Sequence, residues 1–356
     1  MFDAVVEALR RHQKFVITTH LRPDGDALGS ELAMGHALRR LGKTVTWLNA
    51  DPPPYNLGWL PGADDTWVFD GSLEQRERVD EADAILVMDT NTLDRIGTVG
   101  PAVEGSSAQK ILIDHHPHPE TWFDLSYVQT EASSTGQLVY RILQALDPDL
   151  IDTPIATALY TAIMTDTGSF RFSNVTPEVH RIVADLLDRG GIDPTPIHTS
   201  VYDTRSVAGI RLLGMVLDTL TLRYEDRVGY VVVSQRALRS TRASTDETEG
   251  FVNHVLSIES VQAAVIFTEI DAGIKLSFRS KGDTAVNGWA RAFGGGGHPN
   301  ASGAFVRKGK LNRVVDRVMT AAPKHLGFHR SGPTLGELTG DDASYLSALL
   351  DAKKDT

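Results

Sequence analysis

The sequence predicts an α/β protein of two domains: a mostly parallel N-terminal sheet flanked by helices, and a smaller C-terminal α/β domain. Three observations carry that expectation. Short apolar runs alternate with stretches of helical periodicity in the first half of the chain. Each such run ends in a turn that carries carboxylates or imidazoles, where an α/β sheet presents its crevice. Finally, 356 residues with 41% apolar content suffice for two cores.

Taken in order, residues 2–13 read as a helix and Lys14 to Thr19 as a strand. The stretch from Thr19 to Ser30 follows, with His20, Asp24 and Asp26 among its residues and Pro23 and Gly25 forcing a turn. Ser30-Glu31-Leu32-Ala33-Met34 reads as the opening of a helix that stops at Gly42. Thr44 to Leu48 is a second strand, and Pro52-Pro53-Pro54 begins a loop reaching Asp65. Ala84 to Met88 is a buried strand delivering Asp89, and Lys110 to Ile113 another delivering Asp114-His115-His116. Helices are expected from Ser134 to Leu146, from Thr153-Pro154 to Asp166-Thr167-Gly168, and from Thr176-Pro177 to Gly190-Gly191.

A long helical pattern from Val201 to Leu222 predicts a connector. Beyond it, strands at Gly229–Ser234, Val261–Glu269 and Gly273–Arg279 alternate with helices at 247–258 and 284–292. Gly294-Gly295-Gly296-Gly297-His298 then leads to a strand near Ser302–Val306. The expected divisions are 1–198, a helical linker 199–227, a second domain 228–326, and a polar tail 327–356.

The composition removes several chemistries. There is no cysteine, so disulfides, thiolate metal sites and cysteine nucleophiles are excluded. A net charge of −11 argues against broad binding to long nucleic acid, though not against short nucleotides held by a few cations. No apolar run approaches the ~20 residues of a membrane span, and no signal peptide is seen, so a cytoplasmic protein without membrane contact is expected.

His20/Asp24/Asp26, Asp89, Asp114/His115/His116 and Asp166 form four groups of acidic or imidazole side chains at element ends. Each alone reads equally well as a turn former. Together they do not. Carboxylates crowded at one sheet edge repel by several kcal/mol unless protons or cations intervene. A pair of divalent ions resolves the conflict, and a sulfur-free His/carboxylate set suits Mn²⁺ or Mg²⁺ better than copper.

His20-x-x-Pro23-Asp24-Gly25-Asp26, Asp89, Asp114-His115-His116 and Asp166-Thr167-Gly168 resemble the ordered motifs of the DHH phosphoesterase superfamily. Arg279-Ser280 and Gly294-Gly295-Gly296-Gly297-His298-x-x-Ala301-Ser302-Gly303 resemble its DHHA1 domain. The whole is similar to the stand-alone branch that combines oligoribonuclease and pAp phosphatase activities. The resemblance implies a DHH catalytic domain, a DHHA1 substrate-binding domain and two Mn²⁺ ions, with Mg²⁺ or Co²⁺ as alternatives. His20, Asp24 and Asp89 would hold one ion and Asp26, Asp89, His115 and Asp166 the other, with Asp89 bridging. Asp114 would orient a ligand histidine, and His116 would face the scissile phosphate.

In the second domain, bare backbone at Gly296 and Gly297, with Arg279, Ser280, His298 and Ser302, would clamp a phosphate or nucleotide. Arg95 and Ser134 are further candidates for lining the cleft. The expected substrates are short RNA oligonucleotides and pAp, and relatives imply a homodimer. The rival readings are a cyclic or linear dinucleotide phosphodiesterase, a pyrophosphatase or long-strand exonuclease, and a non-catalytic nucleotide sensor.

Overall fold

A computed structural model describes residues 1–327, so the expected tail, apart from Gly327, lies outside the described residues. The chain divides into two compact units, Met1–Arg205 and a second beginning at Ser206.

Six strands build the first unit: β1 (Lys14–Thr18), β2 (Thr44–Asn49), β3 (Trp67–Val68), β4 (Ala84–Met88), β5 (Gln109–Asp114) and β6 (Leu125–Val128). Their order is β3-β2-β1-β4-β5-β6, with every neighbouring pair parallel. The chain therefore works outward from β1 to β3 and then crosses over to β4. The carboxyl ends of β1 and β4 flank this reversal, which is where a doubly wound sheet opens its crevice.

Pleating sends Phe15, Ile17, Leu86, Met88, Ile111 and Ile113 to one face, and Val16, Ile85, Val87 and Leu112 to the other. Both faces are covered, which explains the continuous apolar strands. Helices α1 (Phe2–Arg11), α2 (Gly25–Arg40), α5 (Thr135–Leu146), α6 (Thr153–Asp166), α7 (Pro177–Gly190) and α8 (Pro194–Tyr202) pack on the first face. Helices α3 (Leu73–Asp80) and α4 (Gly100–Gly105) pack on the second through Val79 and Val103.

Three local expectations change. Helix α2 begins at Gly25 rather than Ser30, because the Asp24 carboxylate caps it by accepting from the Asp26 and Ala27 amides, both at 3.1 Å. The short strands β3 and β6 were not expected; the first has two residues and the second is a half-exposed edge, too little apolar sequence to register. The Val201–Leu222 stretch is not one helix. It breaks after Tyr202, restarts as α9 (Val207–Leu217) with the Ser206 hydroxyl accepting from the Gly209 amide at 2.9 Å, and then enters a strand. The apolar periodicity masked the cap at Ser206.

Helices α2 and α6 approach closely because two glycines face the partner helix. A Cβ on Gly25 would lie 2.4 Å from the Thr165 side chain, and one on Gly29 only 2.5 Å from the Ala158 carbonyl oxygen. This approach brings Asp26 on α2 alongside Asp166 at the end of α6. Gly29→Ala is expected to destabilise the protein by about 1–3 kcal/mol, since backbone rather than a flexible side chain must move. Urea melts check this; an unchanged midpoint would contradict the close contact.

The second unit has strands β7 (Thr221–Arg223), β8 (Val228–Val233), β9 (Ala263–Ile270), β10 (Gly273–Ser280), β11 (Gly296–Gly297) and β12 (Ala301–Val306). They are ordered β11-β12-β10-β9-β8-β7, with only β8 and β9 parallel. Helices α9, α10 (Gln235–Thr241) and α11 (Phe251–Leu256) cover one face; α12 (Asn287–Arg291) and α13 (Leu311–Leu326) cover the other with Trp289, Val314 and Val318. The helix expected at 247–258 is shorter, since Gly250 at φ 78° separates a 3₁₀ turn from α11. Among the described residues, no helix is long and apolar enough to cross a membrane.

Candidate metal centre

The carboxyl ends of β1, β4 and β5 and the end of α6 deliver the predicted cluster to one place. Asp89 directly follows β4 with φ 56°, a left-handed conformation that aspartate tolerates better than most residues. Its two oxygens face different partners. Oδ2 lies 3.4 Å from His20 Nε2, which is also 3.9 Å from Asp24 Oδ1. Oδ1 lies 3.6 Å from His115 Nε2, which is 3.6 Å from Asp26 Oδ2 and 3.5 Å from Asp166 Oδ2.

Backbone carbonyls orient both histidines. His20 Nδ1 donates to the Leu21 carbonyl at 2.8 Å, and His115 Nδ1 to the Ala132 carbonyl at 3.2 Å. A carbonyl only accepts, so a proton sits on each Nδ1 and Nε2 is the ring nitrogen turned toward the carboxylates. Carboxylates crowded around each Nε2 call for positive charge between them. Ligand atoms each about 2.1 Å from an ion lie roughly 3–4 Å apart. The observed separations of 3.4–3.9 Å match that spacing, so the residues fit two cations. His20/Asp24/Asp89 and Asp26/His115/Asp166 are two of the groups, among the described residues, whose ligand atoms lie close enough together to hold a metal ion.

The titration directions express the same conflict. Burial, reinforced by the charges of Asp89, Asp166 and Asp24, pushes Asp26 well above the usual carboxylate range. Asp89 is driven low: burial opposes its charge, but the His20 hydrogen bond and the His116, His20 and His115 charges outweigh it. Burial also raises Asp166 to about 6, with His115 opposing and Asp89 and Asp24 adding to the rise.

The Asp166 shift makes a prediction for metal-free protein. A carboxyl with a folded pKa above its ordinary 3.8 contributes stability below that value, and loses it as pH rises through about 6. Metal-free wild type should therefore lose about 2 kcal/mol between pH 4 and 7 relative to Asp166→Asn, which carries no charge to bury. Urea melts in the presence of chelator measure the difference. A difference independent of pH would contradict the buried carboxylate cluster.

Asp114 behaves differently from the expectation. Its Oδ1 accepts from the His115 amide and from His116 Nδ1, both at 2.8 Å, so it orients His116 rather than a ligand histidine. Burial opposes a charge on His116, but the hydrogen bond to Asp114 and its charge outweigh that and raise the imidazole to about 9. Its side chain stands 3.7 Å from Asp89, on the edge of the cluster. Arg95 is exposed, yet its charge reaches both His20 and His116 and opposes their protonation.

Ser133-Ser134-Thr135 was read as lining the cleft, not as holding the carboxylates, and Gly136 was not legible as a site residue. The Thr135 and Gly136 amides, at the N-terminus of α5, donate to Asp26 at 2.7 and 2.9 Å. The Thr135 hydroxyl donates to Asp89 Oδ1 at 2.9 Å. Ser134, an expected cleft residue, is instead buried as the cap of α5, accepting from the Gln137 amide at 3.1 Å. The Ser-Ser-Thr-Gly run signalled a helix start; a start aimed at a carboxylate was the missed possibility. Below the switch point, Asn49 joins Glu31 (2.7 Å) to the Thr19 amide (3.1 Å), and the Thr19 hydroxyl donates to the Met88 carbonyl (2.8 Å). Burial pushes Glu31 up to about 8 against the Asn49 hydrogen bond, so this network is neutral at pH 7.

In the second unit, Arg279, Lys275 and Ser277 border a small depression on one face of β9 and β10. The Ser280 hydroxyl donates to the Thr284 carbonyl and accepts from Asn300 at 3.0 Å. Buried Ser302 donates to the His298 carbonyl at 2.7 Å. Both hydroxyls thus hold their own loops. The glycine run was expected to offer bare backbone to a phosphate, and in the structure Gly296 and Gly297 pair with Gly303 and Ser302 at the sheet edge. A Cβ at Gly295 would lie 1.9 Å from the Gly303 carbonyl oxygen and one at Gly297 2.6 Å from that of Ala301, so these glycines are required by strand packing.

Comparison with known proteins agrees with this geometry. The model of the DHH family, N-terminal domain, matches residues 14–163, and that of the DHHA1 domain matches residues 227–322. The bifunctional oligoribonuclease and PAP phosphatase NrnA of Thermus thermophilus is 32% identical over 310 residues, 87% of this chain and 89% of that protein. The Bacillus subtilis protein of the same name is 27% identical, over 91% of this chain and 100% of its own length. An exopolyphosphatase-related protein from Bacteroides fragilis superposes with a TM-score of 0.85 at 33% identity, covering 92% of this chain and 97% of its own.

Proposed function

The chain belongs to the DHH family, and from that membership and its metal centre we propose a metal-dependent phosphohydrolase that degrades short oligoribonucleotides to mononucleotides and dephosphorylates pAp to AMP. One observation carries the reading: Asp89 turns one oxygen toward each of two His/Asp groups at the sheet's switch point. The donor set, oxygen and imidazole nitrogen without sulfur, suits Mn²⁺, with Mg²⁺ or Co²⁺ as alternatives. Two such ions, when bound, bring water to a nucleophilic state near neutral pH and neutralise phosphoryl oxygens.

The chain's own residues supply the rest. His20, Asp24 and Asp89 would hold one ion, and Asp26, Asp89, His115 and Asp166 the other. Both reactions break a P–O3′ bond, so one leaving group, a ribose 3′-oxygen, serves both. His116, kept protonated by Asp114, hydrogen-bonds the phosphate and passes its proton to that oxygen. Water supplies the oxygen that replaces it on phosphorus. Arg95 and Arg279 add cationic contacts, and His298 a hydrogen bond, to substrate phosphates. A chain of net charge −11 favours short substrates over long strands. The reading includes a cytoplasmic location and a homodimer, which sedimentation checks.

The test is turnover by metal-stripped protein after Mn²⁺ is restored, across pAp, di- to decaribonucleotides, cyclic dinucleotides and pyrophosphate. Rates should be highest for pAp and for the shortest oligomers. Equal rates at all lengths would defeat the short-substrate assignment, and preferential cleavage of a cyclic dinucleotide would replace it.

A further inference from the structure

Asn174 has no part in the assignments above, yet it is fastened to two of the segments that carry them. Its amide nitrogen donates to the Ser133 carbonyl at 3.0 Å and to the Asp166 carbonyl at 3.2 Å. Two carbonyl acceptors also fix which end of the amide points inward, because an oxygen there would face two other oxygens. Ser133 leads directly into Thr135 and Gly136, whose donors hold Asp26 and Asp89. Asp166 is the last residue of α6.

The intervening turn doubles back through three successive left-handed residues, Gly168 (φ 56°), Ser169 (59°) and Phe170 (63°). Such a conformation costs about 1–2 kcal/mol per non-glycine residue, so contacts must hold it. The Ser169 amide bonds to the Met164 carbonyl at 2.7 Å, the Phe170 amide to the Thr167 hydroxyl at 3.2 Å, and Arg171 Nε to the Gly168 carbonyl at 2.8 Å. These bonds tie the turn to itself and to α6. Asn174 ties it across to the 133–136 loop.

We propose that Asn174 is a positioning residue that sets the spacing between Asp166 and the Asp26/Asp89 carboxylates, and thereby the affinity of the second cation position. The inference rests on the two-cation reading. His20 and Asp24, which belong to the first position, have no hydrogen bond to Asn174, so the effect is selective. Loss of the clamp lets the end of α6 move away while the first donor group stays in place.

The experiment is equilibrium Mn²⁺ binding by calorimetry, with Mn–Mn exchange coupling read by EPR, on metal-stripped full-length wild type, Asn174→Asp and Asn174→Ala. The aspartate keeps the shape and loses both donors. The alanine brings no new charge and carries the test if the aspartate variant does not fold. Wild type should bind two ions. In the variants one dissociation constant should stay within about twofold while the other rises about 10–100-fold, and the coupled signal should appear only at higher Mn²⁺. Two unchanged constants, or both raised equally, would overturn the positioning role while leaving the two-cation reading intact. Fewer than two ions in wild type would overturn that reading and the inference with it.

Discussion

Asp89→Asn is expected to reduce hydrolysis of pAp and of dinucleotides by at least about a thousandfold, roughly 4 kcal/mol of barrier. Among the described residues, Asp89 is the one carboxylate paired with both imidazoles of the two donor groups, with Oδ2 3.4 Å from His20 and Oδ1 3.6 Å from His115. Converting it to an amide leaves one of those contacts with a donor NH₂ where a negative oxygen is required. Asparagine is the informative replacement because it tolerates the φ of 56° that Asp89 adopts, whereas alanine would add backbone strain. The Thr135 hydroxyl can still donate to the amide oxygen. Circular dichroism and a thermal melt should show a folded protein, so that lost turnover reports the site. Retained turnover would remove Asp89 from its bridging place.

His116→Gln should lower turnover of the same substrates by about 10²–10⁴, the usual contribution of a positioned general acid. The loss should depend on the leaving group. A ribose 3′-oxygen needs a proton as it departs; p-nitrophenolate does not. With a p-nitrophenyl phosphoester the variant should lose only about tenfold, the part due to the hydrogen bond with phosphate. Equal losses for both leaving groups would make His116 a binding residue and would leave Asp114, which holds its Nδ1 at 2.8 Å, with only an orienting task.

The parts of the molecule that were legible in sequence are those written in single residues at the ends of apolar runs. Phe15-Val16-Ile17, Ala84 to Met88 and Ile111 to Ile113 are buried strand segments with nothing polar inside, so their ends, and hence His20, Asp89 and His115, were easily placed. The helix ending in Asp166 was equally clear from Thr153-Pro154 and its apolar content. What was not legible depends on which elements touch. Gly25 and Gly29 look like ordinary helix residues until α6 is seen against them. The Ser133–Gly136 run announces a helix cap, but nothing local says that its amides point at Asp26. The glycines before His298 suggested bare backbone for an anion; that two of them also meet the neighbouring strand closely was not legible. Asn174 carries no local signal, because its partners lie 41 and 8 residues away.

In the proposed function one carboxylate, Asp89, joins two cation positions at the switch point of the parallel sheet. Anomalous diffraction at the manganese edge, from crystals of the full chain grown with Mn²⁺, tests it most directly. Two peaks are expected about 3.5–4 Å apart, one beside His20 and Asp24 and one beside His115 and Asp166, with an Asp89 oxygen on each. A single peak, or two peaks with Asp89 bound to only one of them, would contradict it.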